Sequence, residues 1–238
     1  MSQLNGLVSK INLEGLIYIV FEYLSIELFS LHLTSKDDKK NFDKYVEILS
    51  KKEDIIIHLL ELKNIDLSFP LIKLMINRKL PDLKEKINHI CTSISSDSVT
   101  ALHLLTCVKK SGKEFQLIKC LLENGADPNI KNNMGQTALH YAIEIYTLDR
   151  EYILNLVKLL VEYNADVNLI DNRHLNALNY ATGKEYFELV KYLVPLTKNL
   201  NNLIDCGSSM KPHLEVMIKY NVNNHITNFI HNEMLTRL

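Results

Sequence analysis

The residues of this chain best suited to chemistry are two histidines in matching surroundings and four scattered cysteines. His103 and His140 close the tetrapeptides Thr100-Ala-Leu-His103 and Thr137-Ala-Leu-His140. Taken alone, an imidazole can ligate a metal, move a proton or activate a thiol. Cys91, Cys107, Cys120 and Cys206, combined with such a histidine and an aspartate, would make a nucleophile and its base. The spacing supports neither chemistry. The cysteines form no C-x-x-C pair, no zinc spacing and no dense disulfide framework, so a reducing compartment is the simpler reading. No Gly-rich phosphate loop, H-E-x-x-H or G-x-S-x-G occurs. Cys107 follows an apolar stretch and Cys120 lies within one, where a thiol packs as a small hydrophobe. No catalytic residue, metal or cofactor is expected, and the chain reads as something other than an enzyme.

What must position these residues is a folded core. The chain has 238 residues, 47% of them hydrophobic, which is enough for one domain or two modest ones. Its net charge of −1 provides no general basic field to hold a nucleic-acid backbone. The most apolar stretch, "LIYIVFEYLSIELFSLHLTSK" (Leu16 to Lys36), is interrupted by Glu22 and Glu27. It therefore lacks the roughly 18 uncharged residues of a membrane span. With only Lys10 as a positive side chain before it and no small-residue cleavage site after it, it does not read as a signal peptide. The mature chain is expected to begin near Met1, to insert in no membrane and to work in the cytoplasm. Abundant Lys, Ile, Asn and Leu, with no Trp, hint at coding bias rather than at function.

The two tetrapeptides belong to an internal repeat, with Asn176-Ala-Leu-Asn179 as a weaker third copy. Each precedes an amphipathic stretch: "FQLIKCLLENGADPN" (Phe115 to Asn129), "YILNLVKLLVEYNADVN" (Tyr152 to Asn168) and "YFELVKYLV" (Tyr186 to Val194). Leu117, Ile118, Leu121 and Leu122, and likewise Leu156, Val157, Leu159 and Leu160, recur at helical intervals, so each unit reads as helix, turn, helix, loop. Thr100 and Thr137 are placed to cap a helix with their hydroxyls. Gly125, and Asn164 in the next unit, suit the left-handed residue that ends one. Inserted "KKSG" (Lys109 to Gly112) and "IYTLDREY" (Ile145 to Tyr152) lengthen the turns between helices. His174 stands at a loop position that asks for positive φ, which histidine tolerates better than most residues.

These residues closely resemble the ankyrin repeat, whose signature couples T-[PA]-L-H in the first helix with G-A-D-x-N after the second. The resemblance implies an all-α stack in which His103 and His140 are structural hydrogen-bonding residues between neighbouring loops. It also implies about three clear repeats with degenerate caps. "FPLIKLMINRKLPDLKEKINHI" (Phe69 to Ile90) reads as a degenerate first repeat. "PHLEVMIKYNVNNHITNFI" (Pro212 to Ile230) reads as the second helix of a decayed last one, with atypical ends because one face of each terminal unit meets water. Ankyrin stacks generally bind proteins on a concave side built from loop tips and first-helix edges. By position this points to Asn133, Met134, Gln136, Tyr141, Glu144 and Ile145 in one repeat, and to Asn172, Arg173, Leu175, Tyr180 and Lys184 in the next, as contacts for an unidentified target protein.

The N-terminal blocks do not repeat. Val20-Phe-Glu-Tyr-Leu24, Ser25-Ile-Glu27 and Leu28-Phe-Ser-Leu-His-Leu-Thr-Ser-Lys36 resemble an F-box, although the usual early proline is absent, one residue is missing before Leu28, and Asp37-Asp38 replaces an aromatic residue. Ile19 and Tyr23 widen the apolar face beyond what docking on one neighbour needs. The resemblance implies that Leu16, Ile17, Val20, Phe21, Leu24, Leu28 and Leu31 mix internal packing with contact to a Skp-type linker protein of a cullin-RING ubiquitin ligase. The alternative is that Leu16, Ile17, Val20, Phe21 and Leu24 face the chain's own helices as a cap. The expected organisation is an F-box-like helical domain at 1–50, a helical linker and degenerate first repeat at 51–95, and ankyrin repeats with a C-terminal cap at 96–238. An F-box before ankyrin repeats implies a substrate adaptor, similar to F-box ankyrin effectors that intracellular bacteria deliver into host cells, where the chain would then work in the host cytosol. The other function implied by the resemblance is a scaffold or inhibitor that recruits no ligase.

Overall fold

The structure is a computed structural model, which describes residues 55–61, 69, 72–73, 75–77, 82–90, 98–106, 112–144, 149–198, 200 and 224–236. Leu16, Ile17, Val20, Phe21, Leu24, Leu28 and Leu31 lie outside the described residues, as do Cys91, Cys107, Ile145 and Cys206. The described elements are α1 (Ile55–Glu61), α2 (Leu83–Asn88), α3 (Ala101–Thr106), α4 (Lys113–Glu123), α5 (Ala138–Glu144), α6 (Arg150–Glu162), α7 (Ala177–Gly183), α8 (Phe187–Leu193), a 3-10 turn (Val194–Leu196) and α9 (Asn224–Thr236). No strand occurs among them. The protein is an all-α repeat solenoid.

Each unit pairs a short inner helix with an outer one, and the residue types explain the division. The inner helices α3, α5 and α7 pack successively on one another. Each opens with Ala-Leu, and the buried alanines Ala101, Ala138, Ala142, Ala177 and Ala181 leave room for close approach of the backbones. The outer helices have one apolar stripe each: Leu117, Ile118, Leu121 and Leu122 on α4, and Leu156, Val157, Leu159 and Leu160 on α6, are all buried. A helix with a single apolar stripe settles against the core and leaves its other face to water. Ile56, Ile57 and Leu59 of α1 join the same core, where α1 packs on α3. At the far end Ile226 and Ile230 of α9 are buried, and Phe229 meets Phe187 of α8 edge to face at 5.9 Å.

The helix ends follow local chemistry. The Asp149 side chain accepts the Tyr152 N–H at 2.7 Å and starts α6. Left-handed residues end the helices: Gly125 (φ 92), Asn164 (φ 66) and Glu185 (φ 53). In each case the following amide reaches back to a carbonyl five residues earlier: Ala126 to Leu121 at 3.0 Å, Ala165 to Leu160 at 2.9 Å, and Tyr186 to Ala181 at 3.0 Å. These are Schellman closures. Gly125 and Asn164 thus end helices as their types suggest, whereas Glu185 gives no such warning.

A ladder of asparagine side chains ties each unit to the next. The Asn88 amide donates to Gly125 O at 2.9 Å and accepts from Asp127 N at 2.7 Å. Asn129 donates to Asn164 O at 2.9 Å and accepts from Asp166 N at 2.8 Å. Asn168 accepts from Lys198 N at 2.8 Å and donates to Leu196 O at 3.4 Å. One residue type meets both a donor and an acceptor in the adjoining unit, because only a carboxamide offers both at fixed separation. Asn129→Ala is expected to lower the unfolding free energy by about 1–2 kcal/mol, since both bonds of one rung are lost. Urea denaturation measures this, and stability equal to that of the wild type would show that the rung carries nothing.

The loops also meet closely at Gly135 (φ 74). A Cβ there would lie 2.5 Å from Asn172 Oδ1 and 2.8 Å from Asn172 N. Neighbouring backbone cannot yield as a flexible side chain does, and positive φ adds strain for any other residue. Gly135→Ala is expected to cost about 1–3 kcal/mol in the same denaturation experiment. An unchanged midpoint would mean that the loops have room to separate.

Candidate functional site

Two stacked loops, residues 131–136 and 170–175, project beside the inner helices, and each is built around one polar side chain. Asn132 Oδ1 accepts from Met134 N at 2.9 Å and Gln136 N at 2.8 Å, while its backbone N–H donates to Gln136 O at 2.9 Å. Asp171 repeats the design: Oδ1 accepts from Arg173 N at 2.8 Å and Leu175 N at 2.9 Å, and its N–H donates to Leu175 O at 2.9 Å. The turn needs positive φ three residues later, and Gly135 (φ 74) and His174 (φ 60) provide it. His174 thus holds the glycine-like position. The loops are sewn together by Asn172 N to Met134 O at 3.0 Å, Asn172 Nδ2 to Asn133 O at 2.9 Å, and Lys131 Nζ to Ile170 O at 2.8 Å.

Beneath these tips lies a polar network centred on Tyr180. Its hydroxyl donates to Asp171 Oδ2 at 2.8 Å and accepts from Gln136 Nε2 at 2.8 Å and from Arg173 Nη2. Gln136 Nε2 also donates to Glu144 Oε2 at 2.8 Å, and Arg173 Nε donates to Asp171 Oδ2 at 3.0 Å. Burial opposes ionisation of Asp171, but the bonds from Leu175, Tyr180 and Arg173 outweigh it and hold the carboxyl below its usual range. Burial, reinforced by the Asp171 carboxylate, pushes the Tyr180 phenol well up. Asp171 and Tyr180 therefore each keep one charge state at ordinary pH.

The histidines are part of the same framework. Thr100 N donates to His103 Nδ1 at 3.2 Å, so that nitrogen carries no proton. The opposite nitrogen, Nε2, must then donate to Gln136 O, 3.1 Å away in the next loop. His140 does the same with Thr137 N at 3.1 Å and Leu175 O at 3.1 Å. Each imidazole is neutral, in the Nε2–H form, and joins a helix start to the adjoining repeat. Tyr141 and Tyr180 meet these rings edge to face, at 5.1 and 5.2 Å between centroids. The Thr100 and Thr137 hydroxyls, expected to cap the helix backbone, lie instead against Nδ1 of these histidines at 2.8 and 2.9 Å. The imidazole presents an acceptor that turns the hydroxyl donor toward it. In the third unit Asn176 and Asn179 close a capping box on each other's backbone.

Of the eleven residues expected on the concave side, the ten that are described divide by depth, Ile145 lying outside the described residues. Met134 is exposed at 48%, together with Asn133, Asn172 and Arg173, while Tyr141, Glu144 and Lys184 are half-buried. Gln136, Leu175 and Tyr180 are only 8, 7 and 7% exposed, so they support the surface from below rather than offering it contact area. Their burial comes from the neighbouring loop, which a single repeat does not reveal. Asn132 and Asp171, which shape the tips, were not among the expected residues. A signal was present in the shared spacing, since each stands four residues before the loop's last residue, Gln136 or Leu175. Cys120 is half-buried, and burial first, then Glu123, pushes its thiol pKa up, away from nucleophilic use. No group of three or more His, Cys, Asp and Glu is gathered to hold a metal among the described residues. No described helix is long and apolar enough to cross a membrane.

Stacked helix pairs, a loop ladder and exposed tips over a fixed polar base define a solenoid that works by presenting a surface. A family profile described as Ankyrin repeats (3 copies) matches residues 61–149 and 104–204, more than half of the chain. The chain belongs to the ankyrin-repeat family. It is accordingly a protein–protein interaction module, of a kind that generally binds rather than catalyses. A search of the curated proteins finds no match.

The neutral imidazoles make stability depend on pH. Burial above all lowers the pKa of His140 from 6.5 to about 4, against the opposing effects of the Leu175 carbonyl and Asp171, and it also lowers that of His103. The unfolded chain takes up a proton below 6.5 that folded His140 refuses until about 4. The stabilisation is therefore complete above 6.5 and is lost as pH falls through this window, by about 3 kcal/mol for the one group. His140→Asn is expected to be less stable at neutral pH but flatter across the window. Denaturant titrations at a series of pH values test this, and parallel curves for both proteins would exclude it.

Proposed function

We propose that the chain is a protein-binding adaptor whose ankyrin face takes a target and whose N-terminal segment recruits a Skp-type linker of a cullin-RING ligase. The target side is supported by one observation above all: exposed Asn133, Met134, Asn172 and Arg173 stand on a base that internal hydrogen bonds already hold in place. A surface ordered before contact loses little conformational entropy on binding. Tyr141, Glu144 and Lys184 extend it along the inner helices, and Ile145 belongs with them by position.

The linker side is supported by the sequence pattern from Val20 to Lys36, with Leu16, Ile17, Val20, Phe21, Leu24, Leu28 and Leu31 as the contact set. The domain limits follow: F-box-like residues at 1–50, linker and degenerate repeat at 51–95, repeats and cap at 96–238. Asn88 favours the degenerate repeat, because it makes the rung that Asn129 and Asn168 make in later units. The mechanism is proximity: the target is held where a ligase transfers ubiquitin, and the chain performs no covalent step. This places its work in the cytosol, that of a host cell if the chain is a delivered effector.

Calorimetry of the full chain with a purified Skp-type linker tests the adaptor half of the proposal. Binding at micromolar concentrations or tighter is expected, and Phe21→Ala with Leu16→Ala should abolish it while leaving the thermal melt of the repeats in place. No binding by the wild type, or a double variant that unfolds with no selective loss of linker affinity, would leave an ankyrin scaffold that blocks or holds its partner without a ligase.

A further inference from the structure

The loop tips separate their charges. Lys131 and Arg173 are exposed at the tips, whereas the Asp171 side chain between them is only 1% accessible and wholly engaged in holding the loop. The exposed acids of the same loops, Asp127 and Asp166, lie at the stems, where their carboxylates accept Asn129 N at 2.8 Å and Asn168 N at 2.9 Å. Arg173 differs from an ordinary surface arginine. Its Nε is fixed by Asp171 and its Nη2 by the Tyr180 hydroxyl, and the guanidinium lies over the Tyr180 ring at 5.3 Å, with the side chain 41% accessible. Among the described residues none bonds the remaining nitrogen, Nη1, which can meet a group approaching from outside. A guanidinium held in place this way presents its donors to a carboxylate without the usual loss of side-chain freedom. Beside it Met134 offers a flexible apolar contact, 48% exposed.

We propose that these tips are a recognition site for an acidic peptide segment of a protein partner. A carboxylate of the segment pairs with Arg173, and an apolar residue near it in sequence packs on Met134. This rests on the reading of the ankyrin face as target-binding, and it names the chemistry of the target. Lys131 adds long-range attraction, while Asn133 and Asn172 supply polar contacts around the methionine.

Fluorescence anisotropy of the full chain with three short labelled peptides tests the assignment: one rich in Asp and Glu with a single Leu, its Lys and Arg counterpart, and the acidic peptide with Ser in place of Leu. The first should bind best, more weakly as salt is raised. Arg173→Gln and Met134→Ala should each weaken it by about fivefold to tenfold; Met134→Ala should melt close to the wild type, whereas Arg173→Gln, which also loses its bonds to Asp171 and Tyr180, should melt lower but remain folded. Arg173→Lys should recover only part of the loss, because a compact ammonium lacks the planar fork that bonds Asp171 and Tyr180 while presenting another nitrogen outward. Equal or tighter binding of the basic peptide overturns the acidic preference but leaves the face as a docking surface. Failure of all three peptides to bind overturns the proposal and counts against the docking surface as well. Displacement of the acidic peptide by an oligonucleotide of equal charge at equal concentration also overturns it, since the site would then read charge alone.

Discussion

The stack depends on an imidazole that must stay uncharged. His103 and His140 each accept a hydrogen bond from the backbone N–H at the start of their own helix and donate one to a carbonyl in the loop of the next repeat. A protonated ring has no acceptor, so one bond of the pair would be replaced by two donors facing each other. Burial enforces the neutral form, and the neutral form in turn keeps the inner helix and the next loop in register. Much of the rest follows from that register. Gln136 and Leu175, whose carbonyls receive the histidines, are the residues that close the two loops, and Tyr180 completes its network only when both loops are in place.

Three kinds of bond thus span the two boundaries that carry a histidine, at different depths. Apolar contacts between inner helices supply the hydrophobic stabilisation, which is indifferent to direction. The histidines specify how far one unit turns against the next. The asparagine ladder fixes the far side, near the ends of the outer helices. Because all three link only neighbouring units, stability accumulates boundary by boundary, as expected of a quasi-one-dimensional fold. The polar bonds supply the directional specificity that a uniform row of Leu and Ala would lack.

Much of this was legible in the sequence. The tetrapeptides and the Gly-Ala-Asp and Asn-Ala-Asp endings located the helices, the left-handed caps and the fold, because those signals depend on local geometry. Apolar periodicity identified the buried stripes of α4 and α6 residue by residue. The polar base of the loops was not legible. Gln136, Leu175 and Tyr180 look like surface residues within their own repeat, and they are covered only when another loop arrives some forty residues along the chain. For the same reason Asp171 reads as an ordinary loop carboxylate rather than the centre of a turn. The stretch from Pro212 to Ile230, which reads as the second helix of a decayed last repeat, lies outside the described residues up to position 223; its end falls in the helix Asn224–Thr236, which runs on past it.

The ladder separates register from length. Its rungs at Asn88, Asn129 and Asn168 are unevenly spaced along the chain, yet each accepts the next unit's amide at 2.7 to 2.8 Å. The additional residues of the first two units fall, in sequence, between inner and outer helices, whereas the rungs follow the outer helices, and at Gly112 an added Cβ would meet nothing within 4 Å. One margin of the solenoid can therefore drift in length while the other stays under strict count. For a protein engineer this divides the molecule into a tolerant edge, where a tag or a foreign loop can be spliced in, and an edge where a single inserted residue would throw every later unit out of step.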